Sequence, residues 1–215
     1  MRLIGHPLRR HRRSRGQALA EFAMIIPIFL TIFVAITEFS FMFTSYIDIG
    51  YASRDAGEVA AADGNTVGSD CAVIQRINND IGTPANPAQI TEIDIYWVNT
   101  AAGNGSAVSG AVTTYTYDGA DHTCTLPNGT TIYHHPFKGP APDGYTETTR
   151  CNVNLGIGCL PTNGTTHNTV DTIAVKISYQ YKWITPFPGL IFGAGGAGTG
   201  PLMSSTSIMR LEPIR

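Results

Sequence analysis

Two carboxylates stand at the margins of a stretch that is otherwise free of charge. Glu21 opens an apolar run and Glu38 nearly closes it, and no residue from Phe22 to Thr37 is ionisable. A carboxylate in such surroundings is costly unless it reaches water or a cation, so it tends to be functional or paired. Four cysteines, Cys71, Cys124, Cys151 and Cys159, form a second set. An even number in an exported domain favours disulfides, with three pairings open. The short NVNLGIG loop closes with little entropy loss, which favours Cys151–Cys159 with Cys71–Cys124 as the other. There is no C-x-x-C pair, so neither a zinc ribbon nor a thioredoxin-like redox site is expected. A third set is His122 with His134-His135. Adjacent residues of a strand point to opposite faces, so that pair cannot chelate one ion without a bulge. G-x-S-x-G, H-E-x-x-H and S-x-x-K are all missing. No catalytic residue, metal or cofactor is expected, and the chain does not read as an enzyme.

The carboxylates need a long element to carry them. Phe22 to Phe41 supplies the roughly 20 residues that a helix needs to cross a bilayer core of about 30 Å. Arg2, Arg9, Arg10, Arg12, Arg13 and Arg15 all precede it. Lys and Arg beside a first helix hold that end in the cytoplasm, so the rest is expected outside the cytoplasmic (inner) membrane. A basic arm for nucleic acid is set aside, because a membrane helix follows it at once. A cleaved secretory signal would have a shorter apolar region ending at a small-x-small site. Neither Arg9-Arg10 nor Arg12-Arg13 leads directly into the apolar stretch, as a twin-arginine signal would. That leaves an uncleaved anchor or a processing site at Gly16-Gln-Ala-Leu-Ala-Glu21-Phe22. Pro27 should kink the helix. Glu38 lies 17 residues after Glu21, which puts the two about 100° apart around the axis and about 25 Å apart along it. One carboxylate is thus expected near each membrane surface, with Glu38 meeting a partner helix or the outer headgroups.

The rest of the chain reads as an α+β domain outside the membrane. The full chain of 215 residues suffices for one membrane helix and one domain of about 150 residues. The formal charge is −2 and only 14% of residues are charged. With abundant Gly, Pro, Asn and Thr, that composition fits an exported, loop-rich β domain. Four segments are expected: a basic leader over 1–16, a membrane helix over 17–45, a helical segment over 46–82, and a β-rich domain over 83–215. Gly50 and Gly57 each weaken the helical segment by about 1 kcal/mol relative to Ala. The spacing of Val73, Ile74, Ile77 and Ile81 predicts a second helix ending at Gly82. Period-two alternation predicts a strand over 91–98 and a longer one over 172–184 with one wet face. Residues 111–117 are strand-like, Asn128-Gly129 signals a hairpin, and 202–212 should pair with 172–184. FGAGGAGTG is a linker, since no helix with Lys-Ser/Thr follows it. The sequons at Asn104, Asn128 and Asn163 read as turns.

Gly16 to Phe22, behind a basic leader, resembles the type IV prepilin signal. More narrowly, RGQALAEFAMIIPIFLTIFVAITEF resembles the start of TadE-like pseudopilins of tight-adherence (Flp-type) pilus systems. The resemblance rests on Arg15-Gly16-Gln17, Glu21-Phe22, Pro27 and Glu38-Phe39, and on a tail with Arg210 and Glu212. It implies a pilus-assembly component cut after Gly16, where a side chain would obstruct the peptidase. Gln17 would be the new N-terminus, and Glu21 and Phe22 would serve subunit docking. That cut would leave eight bases against 16 acids, or −8. The implied partners are a prepilin peptidase, other pilins or pseudopilins, inner-membrane assembly proteins and the bilayer. One departure stands out: residue 17 is Gln where major pilins commonly present Phe for N-methylation. An uncleaved anchor displaying a disulfide-bonded, ligand-binding β domain is the alternative.

Overall fold

The computed structural model describes residues 14–129, 132–140, 144–151, 159, 169–185 and 198–212. The leader arginines up to Arg13, the NVNLGIG loop, Asn163, Pro186, Pro188 and glycines 193–197 lie outside the described residues.

Helix α1 (Ser14–Asp63) is one unbroken element of 50 residues. At about 1.5 Å per residue it is about 75 Å long. The expected membrane helix and residues 46–63 of the helical segment after it are therefore a single rod. Its apolar part is long enough to cross a membrane and is not covered by the rest of the chain. The hydroxyls in that part turn back onto the helix. Thr31 Oγ1 donates to the Pro27 carbonyl at 2.7 Å, Thr37 to Phe33 at 2.9 Å and Ser40 to Ile36 at 2.8 Å. Each of these hydroxyls is thus satisfied without water.

From Gly16 to Thr37 no residue of α1 is buried; Glu38 is the first. A buried stripe then follows at helical spacing through Ser45, Ile49, Ala52, Ala56 and Ala60. This stripe lies on a five-stranded antiparallel sheet of order β3-β2-β1-β4-β5. The strands are β1 (Ile90–Val98), β2 (Ala107–Thr125), β3 (Ile132–Lys138), β4 (Thr172–Lys182) and β5 (Thr199–Arg210). Strands β1 to β3 form a meander, and the chain then crosses back to set β4 on the free side of β1. Helix α2 (Ser69–Asp80) packs beside α1, completing a helix layer on one sheet face.

The inner face carries Ile93 and Ile95 of β1 and Ile173, Val175, Ile177, Tyr179 and Tyr181 of β4, all buried, as their alternation predicts. The opposite face is less wet than expected. Tyr96, Val98 and Ala174 form a small second cluster there with Ala107 and Val112. The helix layer covers the inner face of β4, and Ala174 on its other face packs with Tyr96 and Val98 of β1. Strand β2 is far longer than residues 111–117, and its second half forms an arm with β3 through the Asn128-Gly129 turn.

Small residues let α1 approach the edge strand β5. A Cβ on Gly57 would lie 2.7 Å from Ser207 Oγ, closer than such atoms pack. One turn earlier, the Ser53 and Ser205 hydroxyls share a hydrogen bond of 2.8 Å. Further along, Glu212 N donates to the Ala61 carbonyl at 3.0 Å. Helix α1 therefore runs in the direction of β5, and Gly57 is a close-approach residue rather than only a weak point of the helix.

Candidate functional site

The expected processing site lies at the start of α1. The Gly16–Gln17 bond is within the helix, and a side chain on Gly16 would meet nothing within 4 Å. Gln17 Nε2 donates to Glu21 Oε1 at 3.2 Å, one turn along. Glu21 and Phe22 are both exposed on the rod. The first carboxylate is thus presented outward, with a neighbour from its own turn.

The second carboxylate is in a different situation. Glu38 is 3% exposed. It accepts hydrogen bonds from Ile184 N at 2.7 Å, Thr185 N at 3.2 Å and Tyr181 Oη at 3.4 Å. The end of β4 thus places two backbone donors and a phenol around one side chain of the helix. Tyr181 is held by an edge-on contact with Trp183, with ring centroids 5.5 Å apart. The phenol's pKa is raised by burial and by the nearby Glu38 carboxylate. Within the chain, Glu38 is bonded to its own domain. Glu38 is a clamp between rod and sheet, sited about 33 Å along the helix from Gly16.

Residues 16–58, from the expected scissile glycine through this clamp, match the family model for TadE-like protein. The segment is TadE-like. It covers the exposed part of the rod and most of the part that meets the sheet. No curated protein and no solved structure matches the chain. The TadE-like segment points to involvement in the tight-adherence (Tad/Flp) pilus system, and its apolar helix points to a membrane anchor.

Beyond the TadE-like segment lies a buried ionic cluster that no motif announced. Arg150 is 1% exposed and pairs with the buried Asp70 at the start of α2. Its guanidinium also donates to Ser69 Oγ at 3.1 Å and to the Gly64 carbonyl at 3.3 Å. It lies 5.4 Å from the centre of the Tyr145 ring. Tyr115 Oη donates to Asp70 at 3.1 Å, and Tyr145 Oη to Asp171 at 2.7 Å. Glu147 accepts from Gly68 N at 2.9 Å and Asp70 N at 2.7 Å, capping α2 from a distant loop. Its pKa is raised by burial and by the Asp70 charge. The cluster sits between the disulfides: Cys71 adjoins Asp70 and bonds to Cys124, and Cys151 adjoins Arg150 and bonds to Cys159. The arrangement pins α2, the 145–151 loop and β2 together.

The histidines take up separate positions on the β2–β3 arm. His122 bonds to Asp118 at 2.9 Å, His134 to Asp121 at 2.9 Å, and His135 Nδ1 accepts from Phe137 N at 3.3 Å. Across the strand pair His122 and His135 come to 6.1 Å between centroids, while His134 faces away. No group of three metal-ligating side chains occurs among the described residues. At the end of the sheet far from Glu38, a depression of about 560 Å³ is lined by Trp97, Val108, Val170, Thr172 and Arg210. Among the described residues its one ionisable lining group is Arg210.

Proposed function

We propose that the protein is a membrane-anchored minor pseudopilin that takes part in assembling a tight-adherence (Flp-type) pilus. A prepilin peptidase cuts it after Gly16, making Gln17 its mature N-terminus. The observation that carries this reading is a TadE-like match that opens at Gly16 and has Glu21 five residues on. The leader arginines keep the N-terminus in the cytoplasm, and the sheet domain stands outside the inner membrane. Glu21 and Phe22, exposed on the rod, serve docking to other pilins or pseudopilins, the carboxylate neutralising a neighbour's terminal amine in low dielectric. Glu38 fixes the sheet to the rod. The protein performs no chemistry of its own and is a substrate of the peptidase.

The test is the intact mass and N-terminal peptide of membrane-extracted protein, expressed with and without the peptidase. The expected result is a chain beginning at Gln17 only when the peptidase is present, with Gly16→Ala blocking the cut. A chain beginning at Met1 under both conditions would sink the reading and leave an uncleaved anchor displaying a disulfide-bonded domain.

A further inference from the structure

The sheet has two ends, and they differ in chemistry. The end beside Glu38 is built from residues 81–91, 181–185 and 198–203. Asn86 N donates to Tyr179 Oη at 3.1 Å, and Lys182 N to Gln89 Oε1 at 3.3 Å, which gathers these segments at one place. Their only charged residue is Lys182, although from residue 39 onward the chain has 14 acids against 8 bases. Two large apolar side chains protrude there, Ile184 at 58% exposure and Leu202 at 66%, with Trp183 half-buried between sheet and surface. Three acid-free segments with exposed aliphatic residues, a Trp and a lone Lys have the composition of a membrane–water interface, and the Glu38 carboxylate beside them is buried.

Its height is fixed by the clamp. The Glu38 carboxylate accepts from the backbone N–H groups of Ile184 and Thr185, so those two residues sit at the level of Glu38 on the rod. The rod is uncovered for the 22 residues before that point, a length of about 33 Å, against about 30 Å of bilayer core. The apolar span from Phe22 to Phe41 ends within one turn of Glu38, so the level at which α1 leaves the lipid is close to that of Trp183 and Ile184.

We propose that this end of the domain is a second membrane contact, in which Trp183, Ile184 and Lys182 lie in the interfacial layer of the bilayer that α1 crosses. The partner is the lipid surface itself: the aliphatic and indole groups enter the acyl–headgroup boundary, and Lys182 reaches the phosphates. The domain rests on the membrane at two places instead of standing free on a stalk. This inference depends on α1 crossing the membrane, as in the function proposed above, and does not depend on cleavage.

The chain has two tryptophans, which makes the test clean. Trp97 pairs opposite Ile173, ten residues along β4 from Trp183, or about 33 Å at a strand rise of about 3.3 Å. Full-length Trp97→Phe, Trp183→Phe and a double-Phe variant carrying Phe29→Trp are reconstituted in phosphatidylcholine vesicles with brominated acyl chains. Trp183, the reporter in Trp97→Phe, is expected to be quenched severalfold more than Trp97, and more by bromine near the headgroup than by bromine deep in the chain. Phe29→Trp, inside the span, is expected to show the reverse depth order. Ile184→Asp keeps the backbone N–H that Glu38 uses and should cut Trp183 quenching severalfold. If Phe29→Trp is quenched while Trp183 is quenched no more than Trp97, the surface contact is wrong and the membrane anchor stands. If Phe29→Trp is itself unquenched, anchor and contact both fall.

Discussion

The clamp at Glu38 yields a prediction that is local, sized and exposed to refutation. Replacing Glu38 by Ala removes the acceptor for two backbone N–H groups and one phenol. A hydrogen bond to a charged group contributes about 1.5–3 kcal/mol, so the two backbone bonds represent about 3–6 kcal/mol before compensation. Ile184 is largely exposed and Thr185 is only half-buried, so water replaces part of what is lost. A net loss of about 2 kcal/mol in the stability of the local closed state follows, which is a factor of about 30 in opening. Hydrogen–deuterium exchange read by mass spectrometry should show the amides of Ile184 and Thr185 speeding up by about that factor. Peptides from β1 should be unchanged, because the core of the sheet does not depend on the clamp. Glu38→Gln keeps one acceptor oxygen without the charge and should fall between wild type and Ala. Exchange at Ile184 and Thr185 that stays within about threefold of wild type in Glu38→Ala would show that the carboxylate does not hold the end of β4.

Three further outcomes follow from other contacts. Asp70→Asn leaves the Arg150 cation without its buried counter-ion and should cost about 3 kcal/mol in denaturant unfolding of the detergent-solubilised chain, whereas Asp70→Asn with Arg150→Met should cost less than the two single losses together; a loss below about 1 kcal/mol would contradict the pairing. Gly50→Ala, with open space at its Cβ, should stabilise by about 0.5–1 kcal/mol, while Gly57→Ala should destabilise because its Cβ meets Ser207; melting temperatures shifting in the same direction would refute the close approach. His135 is held below its ordinary pKa by burial and by facing His122, against the opposing pull of Asp121 and Asp118. The unfolded chain therefore binds more protons below about pH 6.5, so stability should rise with pH up to that point and level off above it. His135→Gln should flatten that slope, and a wild-type melting temperature that is constant from about pH 5 to 7 would refute the assignment.

How legible each part was in the sequence depends on how local its physics is. Strand β4 was readable because its inward residues alternate without a break, and α2 because its isoleucines recur at helical spacing. Gly16, Glu21 and Phe22 stood out as a sequential motif. The clamp was half legible. Glu38 was conspicuous as a charge, but its partner lies 146 residues away and consists of backbone N–H groups, which have no sequence signature. One signal was available: Glu38, Met42, Ser45, Ile49, Ala52 and Ala56 recur at intervals of three and four, so Glu38 begins the stripe that meets the sheet. The ionic cluster was not legible. Asp70, Glu147, Arg150 and Asp171 are ordinary surface types in loops and a helix start, and only the return of the chain near the two disulfides brings them together. Gly57 was read through helix propensity, whereas its role is set by a serine on a strand 150 residues on.

The unbroken α1 has a consequence for how the molecule could meet its neighbours. Because Glu38, Ser53 and Gly57 lock the upper rod to the sheet, the compass direction of every side chain lower in the rod is fixed relative to the sheet's edges. A single residue inserted between Glu21 and Glu38 would swing Glu21 through about 100° and lower it by about 1.5 Å while leaving every contact of the domain intact. The helix thus acts as a keyed shaft: a turn applied where Glu21 stands is a turn relative to the flanks of the sheet at the other end.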